Sequence, residues 1–112
     1  MKIAVSSDGK DLESKVSEIF GRCNYFVLAN VEGKKIVKTE ALENISAKQP
    51  GGAGMAAAQA VVEEGANAVI TGNIGPRALD VFRQFGVEVF KGSGPVKKAL
   101  KKFLDNKLDK IK

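Results

Sequence analysis

Three short segments of this sequence concentrate glycine: Pro50-Gly51-Gly52-Ala53-Gly54, Gly72-Asn73-Ile74-Gly75-Pro76 and Gly92-Ser93-Gly94-Pro95. Each stands just before a stretch with helical spacing of apolar residues. The N-terminus of a helix carries unpaired N–H groups and a partial positive charge, so it attracts anions. Glycine lets the backbone close on a ligand and form concave N–H nests. These segments can therefore hold an anion with main-chain donors. They are not a P-loop, because no Gly-Lys-Ser/Thr follows. Nor are they a dinucleotide fingerprint, since Gly51-Gly52-Ala53-Gly54 lacks its spacing and its acidic partner.

The side chains able to do other chemistry are few. Cys23 is the only cysteine and there is no histidine. Arg22 stands beside it, and a neighbouring guanidinium favours the thiolate that binds metal. The other reading of Cys23 is a small, packed apolar residue. Without histidine a cysteine nucleophile has no base, and a four-ligand zinc site has no ligands. Met55 offers a thioether to a soft metal, but its helical spacing places it in the core. Asp8, Asp11 and Glu13 cluster as a solvated turn, and no set of carboxylates converges as a metal-dependent nuclease requires. No catalytic residue is expected.

The elements that must position these residues follow from periodicity. Lys2–Ser6 is a short buried strand rather than a signal peptide. Leu12–Phe20, with Val16, Ile19 and Phe20 at helical spacing, suggests a turn of helix. Residues 25–31 and 35–42 form a hairpin about Gly33. Met55, Ala58, Val61 and Val62 mark a helix stopped at Gly65, and Ala68–Thr71 is a buried strand. Pro76 opens a helix with Ala78, Leu79, Phe82 and Phe85 on one face, stopped at Gly86. A strand follows at Val87–Phe90. Pro95 opens the clearest helix, with Val96, Ala99, Leu100, Phe103 and Leu104 inward and Lys97, Lys98, Lys101 and Lys102 outward.

The order β-β-β-α-β-α-β-α gives one α/β domain over residues 1–112, a five-stranded mixed sheet with helices on both faces and a basic tail at 105–112. With strand 2 opposed to the others, one sheet edge collects five segments. These are Ser6–Asp8, Arg22–Asn24, Asn44–Gly54, Gly72–Pro76 and Gly92–Pro95. Ligands of open α/β sheets bind at such an edge. The candidate binding residues are therefore Ser7, Arg22, Cys23 and Asn24, with Gly51, Gly52, Ala53 and Gly54 from the first glycine segment. The second gives Gly72, Asn73, Ile74, Gly75 and Arg77, and the third Gly92, Ser93 and Gly94. Cys23 is the candidate metal ligand.

Composition narrows the classes further. The 112 residues are 44% hydrophobic and 28% charged, which excludes a disordered chain. One cysteine excludes an internal disulfide, and no apolar run approaches the roughly 18 residues of a membrane span. A cytoplasmic protein without a membrane partner is expected. The net charge of +5 is uneven, because residues 91–112 hold eight lysines and only two aspartates. A solvated helix face accounts for this. Nucleic-acid binding is the alternative, though the segment lacks the arginine that base readout favours and has only Phe103 for stacking.

The start KIAVSSDG, the stretch Ile19-Phe20-Gly21-Arg22-Cys23-Asn24-Tyr25-Phe26, Gly51–Gly54 and Val69-Ile70-Thr71-Gly72-Asn73-Ile74-Gly75-Pro76-Arg77-Ala78 resemble the dinitrogenase iron–molybdenum cofactor biosynthesis family. The resemblance runs from Met1 to about Leu104. It implies a three-layer α/β/α, ribonuclease-H-like fold with sheet order 3-2-1-4-5 and strand 2 antiparallel. It also implies binding or carriage of an iron–sulfur or molybdenum-containing metal–sulfur cluster, or of its precursor, rather than catalysis. An accessory role toward a client protein comes with it. Such clusters are anionic, so loop amides with Arg22 and Arg77 would balance their charge and Cys23 would anchor a metal. A symmetric homodimer would supply a second thiolate. The competing reading of the same loops is a small phosphate- or nucleotide-binding module.

Overall fold

The structure is a computed structural model describing residues 1–112. Apolar alternation along the first strand sets the frame. Ile3 and Val5 point to one side of the sheet and Ala4 to the other, and all three are fully buried. That strand, β1 (Lys2–Ser7), pairs antiparallel with β2 (Tyr25–Glu32), which pairs antiparallel with β3 (Lys35–Glu43). On its other side β1 pairs parallel with β4 (Ala68–Thr71), and β4 pairs parallel with β5 (Glu88–Lys91). The β3–α1–β4 and β4–α2–β5 connections carry helices α1 (Ala53–Glu63) and α2 (Pro76–Gln84), and α3 (Val96–Leu104) follows β5.

The two faces bury separate cores. Ala57, Ala58 and Val61 of α1 and Ala78, Leu79 and Phe82 of α2 pack with Ala4, Leu28 and Val69. Val96, Ala99 and Leu100 of α3 pack with Ile3, Val5, Val27 and Ile70 on the opposite face. A bulge between Asn30 and Val31 lets Ile36 and Leu42, which share sequence parity, face opposite cores.

Four sequence expectations are corrected. The sheet has six strands, in the order β3-β2-β1-β4-β5-β6, not five. The segment expected as a tail contains β6 (Asp109–Lys110), antiparallel to β5. The Ile111 N–H donates to the Val89 carbonyl (2.8 Å), and Lys110 pairs with Glu88. Second, residues 12–19 form no helix: 12–13 are a turn and 15–19 an extended strap, followed by a single 3₁₀ turn at Phe20–Arg22. The strap's backbone groups are taken up by the sheet edge. Ser17 N–H donates to Ser6 O (2.8 Å), Val16 N–H to Gly94 O (2.8 Å) and Gly72 N–H to Ser17 O (3.1 Å). Third, Met55 is exposed. Fourth, Phe85 lies at the C-cap of α2 and is 63% exposed, while Val81 is buried.

Candidate functional site

β1, β3, β4 and β5 run in one direction and β2 opposes them, so the five loop segments do share one sheet edge. They do not form one basin. The strap crosses this rim and divides it into two concavities, with Ile19 and Arg22 on both.

The first concavity, about 380 Å³, lies where α1 and α2 begin. It is lined by Gly52, Ala53 and Gly54 of the first glycine segment, by Gly75, Pro76 and Arg77 of the second, and by Ile19–Arg22. Neither helix has a side-chain cap. Its first N–H groups have no carbonyl one turn back, so those of Ala53, Gly54 and Met55, and of Arg77 and Ala78, donate to no group of the protein. Two helix N-termini thus present five free amide donors to one hollow. The close approach rests on Gly21, where a Cβ would lie 2.8 Å from Gly54 Cα; one on Gly54 would make only ordinary contact with Ala78 Cβ at 3.5 Å. Gly52 adopts φ +70°, which strains any residue with a side chain.

Electrostatics reinforce the donors. Arg77 is exposed and makes no ion pair or side-chain hydrogen bond. Arg22 is committed differently, since its Nη1 donates to Ala47 O (2.7 Å) and Gln49 O (2.8 Å), tying the loop after β3 to the 3₁₀ turn. Its charge stays at the edge of the hollow. Ile19, 58% exposed, and Met55, 37% exposed, form an apolar lip.

The second concavity, about 650 Å³, is polar and mixed in charge, with Lys15 and Lys91 beside Asp8 and Glu18. Gly72, Asn73, Gly92, Ser93 and Gly94 line it. Here two of the three leading helix amides are spent: Val96 N–H donates to Ser14 O (2.8 Å) and Lys97 N–H to Leu12 O (2.9 Å). Two of its glycines also have packing reasons. A Cβ on Gly72 would sit 2.6 Å from Glu18 Cα, and one on Gly92 2.5 Å from Ile70 Cγ2.

The remaining sequence candidates line neither concavity. Cys23 is 2% exposed and packs in the α1/α2 core beneath the rim. Asn44 Nδ2 donates to its carbonyl (2.9 Å) and reaches its sulfur (3.7 Å). Burial pushes the thiol up from 9.0 to about 11, against smaller lowering contributions from the Ser7 backbone and the Asn44 side chain. The thiolate expected from the adjacent Arg22 is thus disfavoured. Ser7 is buried, its hydroxyl donating to Gly9 O (2.8 Å). Asn24 Nδ2 donates to Asp8 O (3.1 Å). Gly51 faces open space and Ile74 packs against the core. Asp11 Oδ1 accepts from the Glu13 and Ser14 N–H groups, the turn that the sequence indicates. No three His, Cys, Asp or Glu side chains group as a metal-ion site.

Sequence reasoning did not place Ile19, Phe20, Gly21, Met55, Pro76 or Ala78 in the hollow. The signals were slight. Gly21 sits within the Phe20-Gly21-Arg22 motif, and Met55 fits a core pattern by spacing alone.

The chain is a mixed α/β domain whose paired, uncapped helix ends open on one edge of the sheet and present main-chain donors there. The comparisons place it more narrowly: residues 1–106 match the model of the dinitrogenase iron-molybdenum cofactor family, and the chain belongs to that family. Among curated proteins it is similar to MJ0580 of Methanocaldococcus jannaschii, 36% identical over 112 residues that cover 99% of this chain and 92% of the relative. Among solved structures it is similar to the apo form of the orange protein from Desulfovibrio gigas. The TM-score is 0.91 at 30% identity, over 98% of this chain and 92% of that one. A Thermotoga protein of the DUF35 family, TM1290, superimposes with a TM-score of 0.82 at 32% identity, over 97% and 91%.

Proposed function

We propose that this protein binds and carries an anionic metal–sulfur cluster, iron–sulfur or molybdenum-containing, or a precursor of one, in the hollow between the N-termini of α1 and α2. The observation that carries the reading is the set of five unpaired amides in that hollow, with the free guanidinium of Arg77 beside them. Sulfide and thiometallate sulfur accept N–H bonds and carry the negative charge. Charge-assisted bonds of this kind contribute about 1.5–3 kcal/mol each. The family's name and the existence of an apo form of the similar orange protein support a cargo of this chemistry.

Cys23 is left out of the ligand set because its thiol is sealed in the core and held protonated. The cargo is thus held by charge and hydrogen bonds, which suits a protein that must release it. Gly52, Ala53, Gly54, Gly75, Arg22 and Arg77 surround or border the hollow, and Gly51 lies outside it. Gly72, Asn73, Gly92, Ser93 and Gly94 serve the second concavity, and Ser7, Asn24 and Ile74 serve the scaffold.

Anaerobic reconstitution tests this. The chain is mixed either with tetrathiomolybdate and Cu(I) or with iron and sulfide, and bound metal is measured after gel filtration. Uptake of one cargo is expected. Arg77→Ala should weaken it about tenfold, the loss of one charge-assisted contact, while Cys23→Ala should retain it. Failure of the wild-type chain to take up either cargo overturns the reading, as does loss of uptake in a folded Cys23→Ala variant. Thermal stabilisation by nucleoside phosphates and not by thiomolybdate would move the site to phosphate binding.

A further inference from the structure

The excess positive charge is carried by one outer face. Lys97, Lys98, Lys101 and Lys102 are exposed along α3, whose inner residues Val96, Ala99 and Leu100 are buried against the sheet. None of the four lysines has a carboxylate within 4.0 Å; the ion pairs of the molecule are Lys38–Glu40, Arg83–Asp80 and Lys110–Glu88. Beside the helix, Lys91, Lys102 and Lys107 converge on a niche of about 200 Å³ whose only acidic lining residue is Asp109.

This arrangement works against the helix that carries it. Lys97–Lys101 and Lys98–Lys102 are like-charge pairs one turn apart. Lys97 and Lys98 also lie in the first turn, where the helix dipole disfavours cations and no acidic residue compensates; the dipole favours Lys101 and Lys102 in the last turn, so the cost lies in the first turn and in the like-charge pairs. Alternating glutamate and lysine would serve solubility equally and would stabilise the helix. A single-sign surface held against local stability has its natural complement in a partner of opposite charge.

The chemistry of the face selects that partner. Lysine gives isolated point charges, without the arginine forks that read bases or grip phosphate bidentately. The one aromatic of α3, Phe103, stacks edge-on to Phe90 at 5.0 Å and presents no free ring for bases. We propose that the lysine face of α3 docks an acidic protein surface, with the niche at Lys91, Lys102 and Lys107 receiving one of its carboxylates. The inference does not depend on the cargo.

The test titrates the isotope-labelled full chain with poly-L-glutamate, a short DNA duplex and phosphatidylserine-containing vesicles at equal anionic charge. Poly-L-glutamate should bind most tightly and shift amide resonances of α3 and of residues 107–110. Lys98→Glu, which creates an attractive pair with Lys102, should weaken that binding about five- to tenfold while raising Tm by roughly 2–5 °C. A gain in stability with a loss of binding would separate docking from packing. Tighter binding of DNA or vesicles would overturn the proposal. So would shifts centred elsewhere, unchanged binding by Lys98→Glu, or a fall in its Tm.

Discussion

Replacing Cys23 by alanine distinguishes a packed thiol from a ligand through the pH dependence of stability. The side chain is 2% exposed and burial raises its pKa from 9.0 to about 11. Folding therefore favours the neutral thiol. The stabilisation is fully present below about pH 9, where the unfolded chain also keeps its proton, and is lost as pH rises through 11. The gap amounts to about 2–3 kcal/mol in all, of which about half is lost by pH 10. At neutral pH, Cys23→Ala should cost about 1 kcal/mol for the small cavity it leaves. The variant has no alkaline loss at this site, so the two stability curves should cross near pH 10. Urea denaturation of both proteins from pH 7 to pH 11 measures this. At pH 8 the folded thiol should also be alkylated about a hundredfold more slowly than in the unfolded chain. Stability curves that fall in parallel, or alkylation at the unfolded rate, would refute the argument and return Cys23 to the rim as a reactive thiol.

Further predictions concern the scaffold. Gly21→Ala should destabilise by about 1–3 kcal/mol and displace the start of α1, because its Cβ would press on the Gly54 backbone at 2.8 Å. Gly75→Ala, whose Cβ meets nothing within 4 Å at an ordinary φ of −73°, should leave urea stability within about 0.5 kcal/mol while reducing cargo uptake. Ile111→Ala should lower stability by about 1 kcal/mol and speed amide exchange at Lys110 and Ile111, since that half-buried side chain anchors the sixth strand to the core.

The first five strands and the three helices were legible because their apolar residues repeat at clean periods, whereas the order of strands around β1 came from the family resemblance. Proline and glycine also mark the bounds, as at Pro76 and at Gly65 and Gly86, which take φ of +80° and +69°. The sixth strand was not, because Asp109–Lys110 carries no apolar pattern and is held through backbone pairing and its neighbour Ile111. The strap was misread because Val16 and Phe20 show helical spacing yet reach opposite cores from an extended chain. At the site, the shared edge followed from strand directions. Its division did not, since it depends on backbone bonds from Leu12, Ser14 and Val16, which side-chain types do not encode. Cys23 shows the same limit: a neighbouring arginine in sequence says nothing of which way the sulfur faces.

The most direct measurement of the central claim is a ¹⁵N–¹H correlation spectrum of the full chain, recorded anaerobically with and without tetrathiomolybdate and Cu(I). The account predicts the largest shifts at the amides of Ala53, Gly54, Met55, Arg77 and Ala78, with those of Val96 and Lys97 little moved. Shifts centred on Cys23 or on Gly92–Gly94, with the five amides unchanged, would contradict it.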